Sequence, residues 1–252
     1  MALTAFEIRR RPRYIERPQA TFENVRLALA CYLGSGRAPT LLQIGACDGV
    51  TGDPAHDFIR SGRFRAFLVE PIDEAFKALG RTYEGVPNVT LIRAALASTD
   101  GELAMYRVRE GAASVRAGWS PQYSSFDRGH LLRHHVAPGD IQMVSVPCMT
   151  LSSLLTKHGI EHVDILLSDA EGFDAEVVAM ALALPNPPEC ISFESYHFTP
   201  AQMNDLFARL KRQNYVWVHD KWNTLAIGET LAGRWNPAAR APQAKPGAQA
   251  TL

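Results

Sequence analysis

Four acidic residues stand at the ends of apolar runs in this sequence. Glu70 closes "RAFLVEP", Asp169 and Glu171 follow "VDILLS", and Glu194 closes "CISFE" with His197 three residues on. A further run, "LLQIG", with Gln43 in it, breaks into "ACDGVTGDP". That loop holds Gly45, Ala46, Gly49 and Gly52, with Asp48 and Asp53 between the glycines. Glycines after a strand let backbone approach a ligand closely. Carboxylates at strand ends can accept hydrogen bonds, hold cations or take a proton. Acids at helix starts also cap N–H groups and complement the helix dipole, which accounts well enough for Asp169 or Asp174. It accounts poorly for Glu70, a single acid after an otherwise apolar strand and before Pro71 and Ile72.

The ligand class follows from what accompanies these residues. A glutamate about 25 residues after the glycine loop suits a ribose, because one carboxylate can accept from both hydroxyls. Phosphate chemistry is disfavoured: the loop has neither GxGxxG nor GxxxxGK[ST], and it holds no lysine or arginine. Asp48 and Asp53 would repel a pyrophosphate and attract a sulfonium or an ammonium. An adenosine-type cofactor with a positive centre fits best, which favours S-adenosylmethionine over NAD.

Elements that would position these groups alternate along the chain. Helical spacing of Phe22, Val25, Leu29 and Tyr32 predicts a helix over 21–33. Strands are expected at 41–44, 65–69, 89–94, 163–167 and 190–193, with "YVWV" and "TLAI" last. Helices are expected from Asp53-Pro54, over 72–79, 150–157 and 173–184, and over 200–212. Asp100-Gly101 between two extended runs predicts a hairpin, and "IQMVSV" another strand. Such alternation predicts an α/β domain, a Rossmann-like, mostly parallel sheet with helices on both faces, and ligands at the carboxyl ends of its strands.

Residues 1–20, with Arg9, Arg10, Arg11, Arg13 and Arg17, read as a basic, partly mobile leader. Residues 21–236 read as one domain and 237–252 as a disordered tail. Irregular residues 110–140, with Trp119, Tyr123 and Phe126, read as a lid or acceptor loop, or as cover for the sheet edge.

The 252 residues are 46% apolar and 21% charged, as in an ordinary globular protein. With 26 basic and 26 acidic side chains, no global pull toward nucleic acid or an anionic membrane is expected. Val177–Leu184, the longest apolar stretch, is too short to cross a bilayer. Cys31, Cys47, Cys148 and Cys190 have no metal-ligand spacing and are expected as free thiols. The N-terminus lacks a secretory h-region, so a cytoplasmic location is expected.

At this level of detail the chain resembles the FkbM family of S-adenosylmethionine-dependent methyltransferases, from about Leu41 to Ile227. The likeness rests on "QIGACDGVTGDP", "LVEP", "AALASTDGELAMY", "SSF", "VPCMTLSSLL", "VDILLSDAEGFDAEVV" and "ISFESYHF" in this order. It implies the class I methyltransferase fold, seven strands with the last antiparallel. It implies that Gln43, Gly45, Ala46, Asp48 and Gly49 line the methionine end of the cofactor and that Glu70 and Pro71 meet the ribose. Ala94 and Ala95 would lie near the adenine, and Asp169, Glu171 and Gly172 near the transferred methyl. Cys47 stands where many relatives carry Asn, and Ser168 receives no charge role.

Methyl transfer from a sulfonium is an in-line displacement that needs alignment and, for a hydroxyl acceptor, a base. Candidate bases are Asp169, Glu171, Glu194, His197 and His219. No metal is expected as a first choice; the alternative is Mg²⁺ or Ca²⁺ on Asp169, Glu171 and Glu194. His130, His134 and His135 could ligate a metal, but "LLRHH" is read in preference as a surface helix end. The expected acceptor is a sugar, glycan or polyketide-like hydroxyl. An NAD(P)-linked oxidoreductase and a non-catalytic cofactor-binding module are the alternatives.

Overall fold

The apolar runs become the strands of one central sheet in the computed structural model, which describes residues 13–14, 20–33, 38–112, 123–229 and 231–232. In chain order the elements begin β1 (Arg13–Tyr14), α1 (Ala20–Leu33), β2 (Thr40–Ile44), α2 (His56–Arg60), β3 (Arg65–Val69), α3 (Asp73–Thr82) and β4 (Val89–Ile92). Then come β5 (Ala95–Leu96), β6 (Gly101–Val108), β7 (Ser124–Ser125), α4 (Arg128–Arg133), β8 (Ile141–Met149) and α5 (Leu151–Lys157). The rest are β9 (Ile165–Ser168), α6 (Asp174–Leu182), β10 (Cys190–Glu194), α7 (Pro200–Arg212), β11 (Val216–His219) and β12 (Asn223–Ile227).

The main sheet runs β1-β11-β12-β10-β9-β2-β3-β4. Its seven long strands are those expected, and β12 is antiparallel to both β10 and β11. The two-residue β1 adds an edge, with Arg13 opposite Val218. Residues 1–12 and 15–19 of the basic leader, 113–122 of the expected lid with Trp119, and the 237–252 tail lie outside the described residues.

β2 is buried along its whole length, and its side chains divide between two cores. Leu41 packs on one face with Leu68, Ile165 and Leu29 of α1. Leu42 and Ile44 pack on the other with Phe67, Leu166, Val177 and Leu206. Burial on both faces explains why these strands read as continuous apolar runs. The parallel crossovers go from β2 outward to β3 and β4, and from β9 outward to β10. The strand order thus reverses between β2 and β9, where a ligand crevice opens.

The expected hairpin at Asp100-Gly101 does not form. β5 pairs parallel with β8 while β6 pairs antiparallel with it, so β5 and β6 flank β8 in a second sheet, β5-β8-β6-β7. Asp100 serves α5 instead: it accepts from the Thr150 N–H at 2.7 Å and the Ser153 hydroxyl at 2.6 Å. Two acceptor oxygens at a helix start satisfy donors the helix leaves open, a stronger local demand than a two-residue turn. The 110–140 segment is also less irregular than its sequence implies, since it carries β7, α4 and a 3₁₀ turn at Pro138–Asp140.

Candidate active site

A cavity of about 500 Å³ opens at the carboxyl ends of β2, β3 and β9. From β2 and its loop, Gln43, Gly45 and Ala46 line it; Glu70 and Pro71 do so after β3, and Ala94 and Ala95 after β4. Asp169 and Glu171 come from the loop after β9. All nine are residues singled out from the sequence. Cys47, Asp53, Met105, Ser124 and Phe126 were not assigned to a wall and also line it. Asp53 lay in the quoted loop and "SSF" among the family motifs, so both carried a signal.

Glu70 is 4% exposed and ties two loops together. Its Oε2 accepts from the Cys47 N–H at 2.9 Å and its Oε1 from the Ile72 N–H at 2.8 Å. Burial pushes its carboxyl up to about 7, against the pull of those two donors. Each oxygen retains a lone pair for a further donor. Asp53 accepts from the Ala55 N–H at 2.7 Å through Oδ1, and burial pushes it up to about 6. Its Oδ2 and the Gln43 Oε1 are buried with no hydrogen-bond partner. The Gln43 side chain lies against the Asp53 carboxyl and eases that rise, so the two form one polar patch on the cavity wall.

The loop after β9 is built around Asp174 at the start of α6. Its carboxylate accepts from the Ser168 hydroxyl and from the Ala170 N–H. Ser168, given no charge role from the sequence, thus helps fix the loop that carries Asp169 and Glu171. Asp169 is pushed up to about 6 by burial. Glu171 adopts a left-handed φ of 47°, rare for a residue with a side chain, and its backbone oxygen accepts from the Ser125 hydroxyl at 2.7 Å. Its Oε2 lies 2.6 Å from His130 Nε2. Burial and the neighbouring carboxylates of Asp169 and Glu194 push Glu171 well above the usual range. The same burial draws His130 down to about 3.

Other candidates stand elsewhere. Asp48 turns its carboxylate onto its own loop, accepting from Val50 N–H, Thr51 N–H and the Thr51 hydroxyl, and does not line the cavity. Gly49 faces α3: a Cβ there would meet the Tyr83 ring at 2.5 Å. Both shape the loop from behind. Glu194, pushed up to about 9 by burial and by Asp169 and Asp174, lies 3.9 Å from His197 Nε2, and neither lines the cavity. His219 packs on β11 against Phe207, away from it.

The reading of His130, His134 and His135 as a surface helix end is corrected for the first two. His130 is fully buried, and His134 Nε2 lies 2.9 Å from His197 Nε2. Among the described residues, the tight group of metal-competent atoms belongs to His130, His134 and His197, not to Asp169, Glu171 and Glu194. His135 is exposed and stands outside the group.

Among the described residues, the cavity wall carries four carboxylates, Asp53, Glu70, Asp169 and Glu171, and no lysine, arginine or histidine. Such a wall repels phosphates and favours a ligand with positive charge. The pattern that defines the Methyltransferase FkbM domain matches residues 43–216, which include all four of those carboxylates.

The chain belongs to the FkbM methyltransferase family.

Members of this family depend on S-adenosylmethionine, whose sulfonium and ammonium fit the acidic wall and its unpartnered acceptors. Among solved structures, the methyltransferase domain of METTL16, a human protein, is 9% identical with a TM-score of 0.47, covering 85% of this chain and 70% of its own. Precorrin-6y C5,15-methyltransferase of Geobacter metallireducens is 11% identical with a TM-score of 0.40, covering 82% and 87%. Atu636 of Agrobacterium tumefaciens, titled a predicted O-methyltransferase, is 14% identical with a TM-score of 0.38, covering 80% and 78%. No curated protein matches the chain. No helix among the described residues is long and apolar enough to cross a membrane.

Proposed function

We propose that this methyltransferase acts on a hydroxyl of a small-molecule acceptor, a sugar or secondary metabolite, and that Glu171 takes the hydroxyl proton. The observation that carries this reading is the acidic wall, with Glu171 as the wall residue in contact with a neutral imidazole.

S-adenosylmethionine supplies, when bound, an electrophilic methyl group on a sulfonium. The chain's own residues divide the remaining work. Asp53 Oδ2 and Gln43 Oε1 would accept from the ammonium, and the spare lone pairs of Glu70 would hold the ribose. Pro71, Ala94 and Ala95 give an apolar flank for the adenine. Asp169 and Glu171 stand where the methyl and the acceptor would meet. Burial makes the Glu171 carboxylate more basic than an exposed one, which suits proton abstraction from a hydroxyl. His130, 2.6 Å from it, holds that carboxylate in position.

An NAD(P)-linked reading is opposed by the same wall, which among the described residues has no cation for a pyrophosphate. Isothermal titration with S-adenosylmethionine, S-adenosylhomocysteine and NAD⁺ in parallel tests the donor. Binding of the first two alone is expected; binding of NAD⁺ alone overturns the reading. Transfer of labelled methyl to hydroxyl acceptors tests the rest, and donor binding with no transfer to any hydroxyl would favour the non-catalytic module.

A further inference from the structure

Three histidines from distant parts of the chain meet behind Glu171. His130 and His134 lie four apart on and just after α4, so they share one helix face. His197 arrives from the loop after β10. The ring centroids stand 4.4 to 4.8 Å apart in all three pairings, and one nitrogen from each ring falls within 4.8 Å of the other two.

We infer that His130, His134 and His197 form a binding site for one divalent transition-metal ion of the kind that prefers imidazole, with Zn²⁺ as the reference case and the Glu171 carboxylate beside the ligand set.

The geometry fits the ion better than it fits a purely structural network. Four ligands held tetrahedrally at about 2.0–2.1 Å stand about 3.3 Å from one another, and the nitrogens need only small side-chain shifts to reach that. His134 and His197 present Nε2 to Nε2 at 2.9 Å, so one of the two must be a proton acceptor. A ring that gives up its Nε2 proton keeps a proton on Nδ1, and both Nε2 lone pairs then face the same point. His130 contributes in either tautomer. Its Nδ1 is buried with no partner, an orphan lone pair or N–H that a core imidazole does not ordinarily leave. Its Nε2 meets Glu171 at 2.6 Å, so Glu171 stands as the outer carboxylate that orients a ligating ring.

The scaffold is rigid where a metal site needs it. Asp127 caps α4 by accepting from the Gly129 N–H at 2.8 Å and holds Arg133 at 2.9 Å. Tyr123 packs on the His134 ring at 5.1 Å, and Tyr196 on His197 at 4.9 Å. Gly172 lets the loop close onto His130, since a Cβ there would stand 3.1 Å from Nδ1. Glu194, 3.9 Å from His197, is a second carboxyl beside the group. Imidazoles with a carboxylate suit zinc and iron-like ions and not Mg²⁺ or Ca²⁺, which prefer oxygen alone. Because Glu171 also lines the cavity, the ion would sit at its acceptor end.

The test is titration of the chelator-treated, full-length protein with Zn²⁺, and separately with Co²⁺, in the absence of any methyl donor. Metal binding is thereby read independently of the donor and acceptor assignments, which can fail while it stands. One equivalent of Zn²⁺ is expected to bind saturably, and Co²⁺ to give the visible absorption of a four-coordinate centre. His134→Gln and His197→Gln, at partly exposed positions, are each expected to weaken Zn²⁺ binding by about 100-fold or more while the far-ultraviolet circular dichroism stays unchanged. His135→Asn, one residue away and compatible with the left-handed backbone there (φ 61°), is expected to bind like the parent. Absence of a saturable equivalent in the parent, or equal affinity in His134→Gln, His197→Gln and the parent, overturns the site.

Discussion

The backbone of Asp169 passes so close to Gly45 that a Cβ placed on the glycine would stand 1.9 Å from the Asp169 carbonyl oxygen. The contact joins the two loops on either side of the point where the strand order reverses, and the Asp169 N–H also donates to the Ile44 carbonyl at 3.0 Å. Gly45 has a φ of +74°, so the position excludes a side chain both by conformation and by space. Gly45→Ala should therefore cost roughly 3 kcal/mol of stability or more, since backbone cannot yield as a side-chain tip would. A urea titration checks it. A loss under about 1 kcal/mol would mean the two loops separate easily and do not form one wall.

Glu70 occupies a comparable junction with side-chain chemistry. Each oxygen already holds one backbone N–H, from Cys47 and from Ile72, and one lone pair on each remains. Glu70→Ala removes both contacts and any made to ribose hydroxyls. Cofactor affinity should fall by about 1–3 kcal/mol, with a stability loss of similar size from the unpaired N–H groups. Calorimetric affinity for S-adenosylhomocysteine and urea unfolding without ligand separate the two effects. Undiminished affinity would remove Glu70 from the cofactor wall.

Much of this arrangement was legible before any coordinates because buried parallel strands are written as unbroken apolar runs. "RAFLV" coincides with β3 residue for residue, and an acid directly after such a run stands at the rim where ligands bind. Side chains whose partners are remote left no such mark. Nothing near Asp100 announces that it serves α5, fifty residues on. Nothing in "LLRHH" announces His197, sixty-three residues beyond His134. Asp48 is the opposite case: its own loop supplies three donors, a demand that composition cannot weigh against a ligand's.

Protonation of the wall should couple to the cofactor. Burial raises Asp53 to about 6 and Glu70 to about 7, above the roughly 4 of unfolded carboxyls. Between about pH 4 and 7 the native state therefore holds more protons than the unfolded state, and these two groups make the free protein less stable as pH rises through that window. A cationic ligand reverses the pressure by favouring the charged carboxylates, so binding should release protons and tighten as pH rises from about 5.5 to 7.5. Each group whose pKa falls by one unit on binding contributes up to about tenfold. The effect should be larger for S-adenosylmethionine, with two positive centres, than for S-adenosylhomocysteine, with one. Calorimetry at pH 6.5 in two buffers of different ionisation enthalpy measures the released protons. Affinity that is flat across the window would mean these carboxylates do not face the ligand's charge.

The last expectation concerns the chemical step. Glu171 lines the cavity on a strained backbone, with φ 47°, and strain of this kind persists where surrounding structure enforces it. The Ser125 hydroxyl on its carbonyl and His130 on its carboxylate are that enforcement. Glu171→Gln keeps the size and the contact to His130 but cannot accept a proton. Methyl transfer to a hydroxyl acceptor should fall by about 10²–10⁴, the usual contribution of a positioned base, while affinity for S-adenosylhomocysteine changes by no more than a few-fold. Glu194→Gln, away from the cavity wall, should leave the rate within about tenfold of the parent. A Glu171→Gln enzyme with full turnover would assign proton removal to another group, and Asp169 is the remaining acid at that end of the cavity.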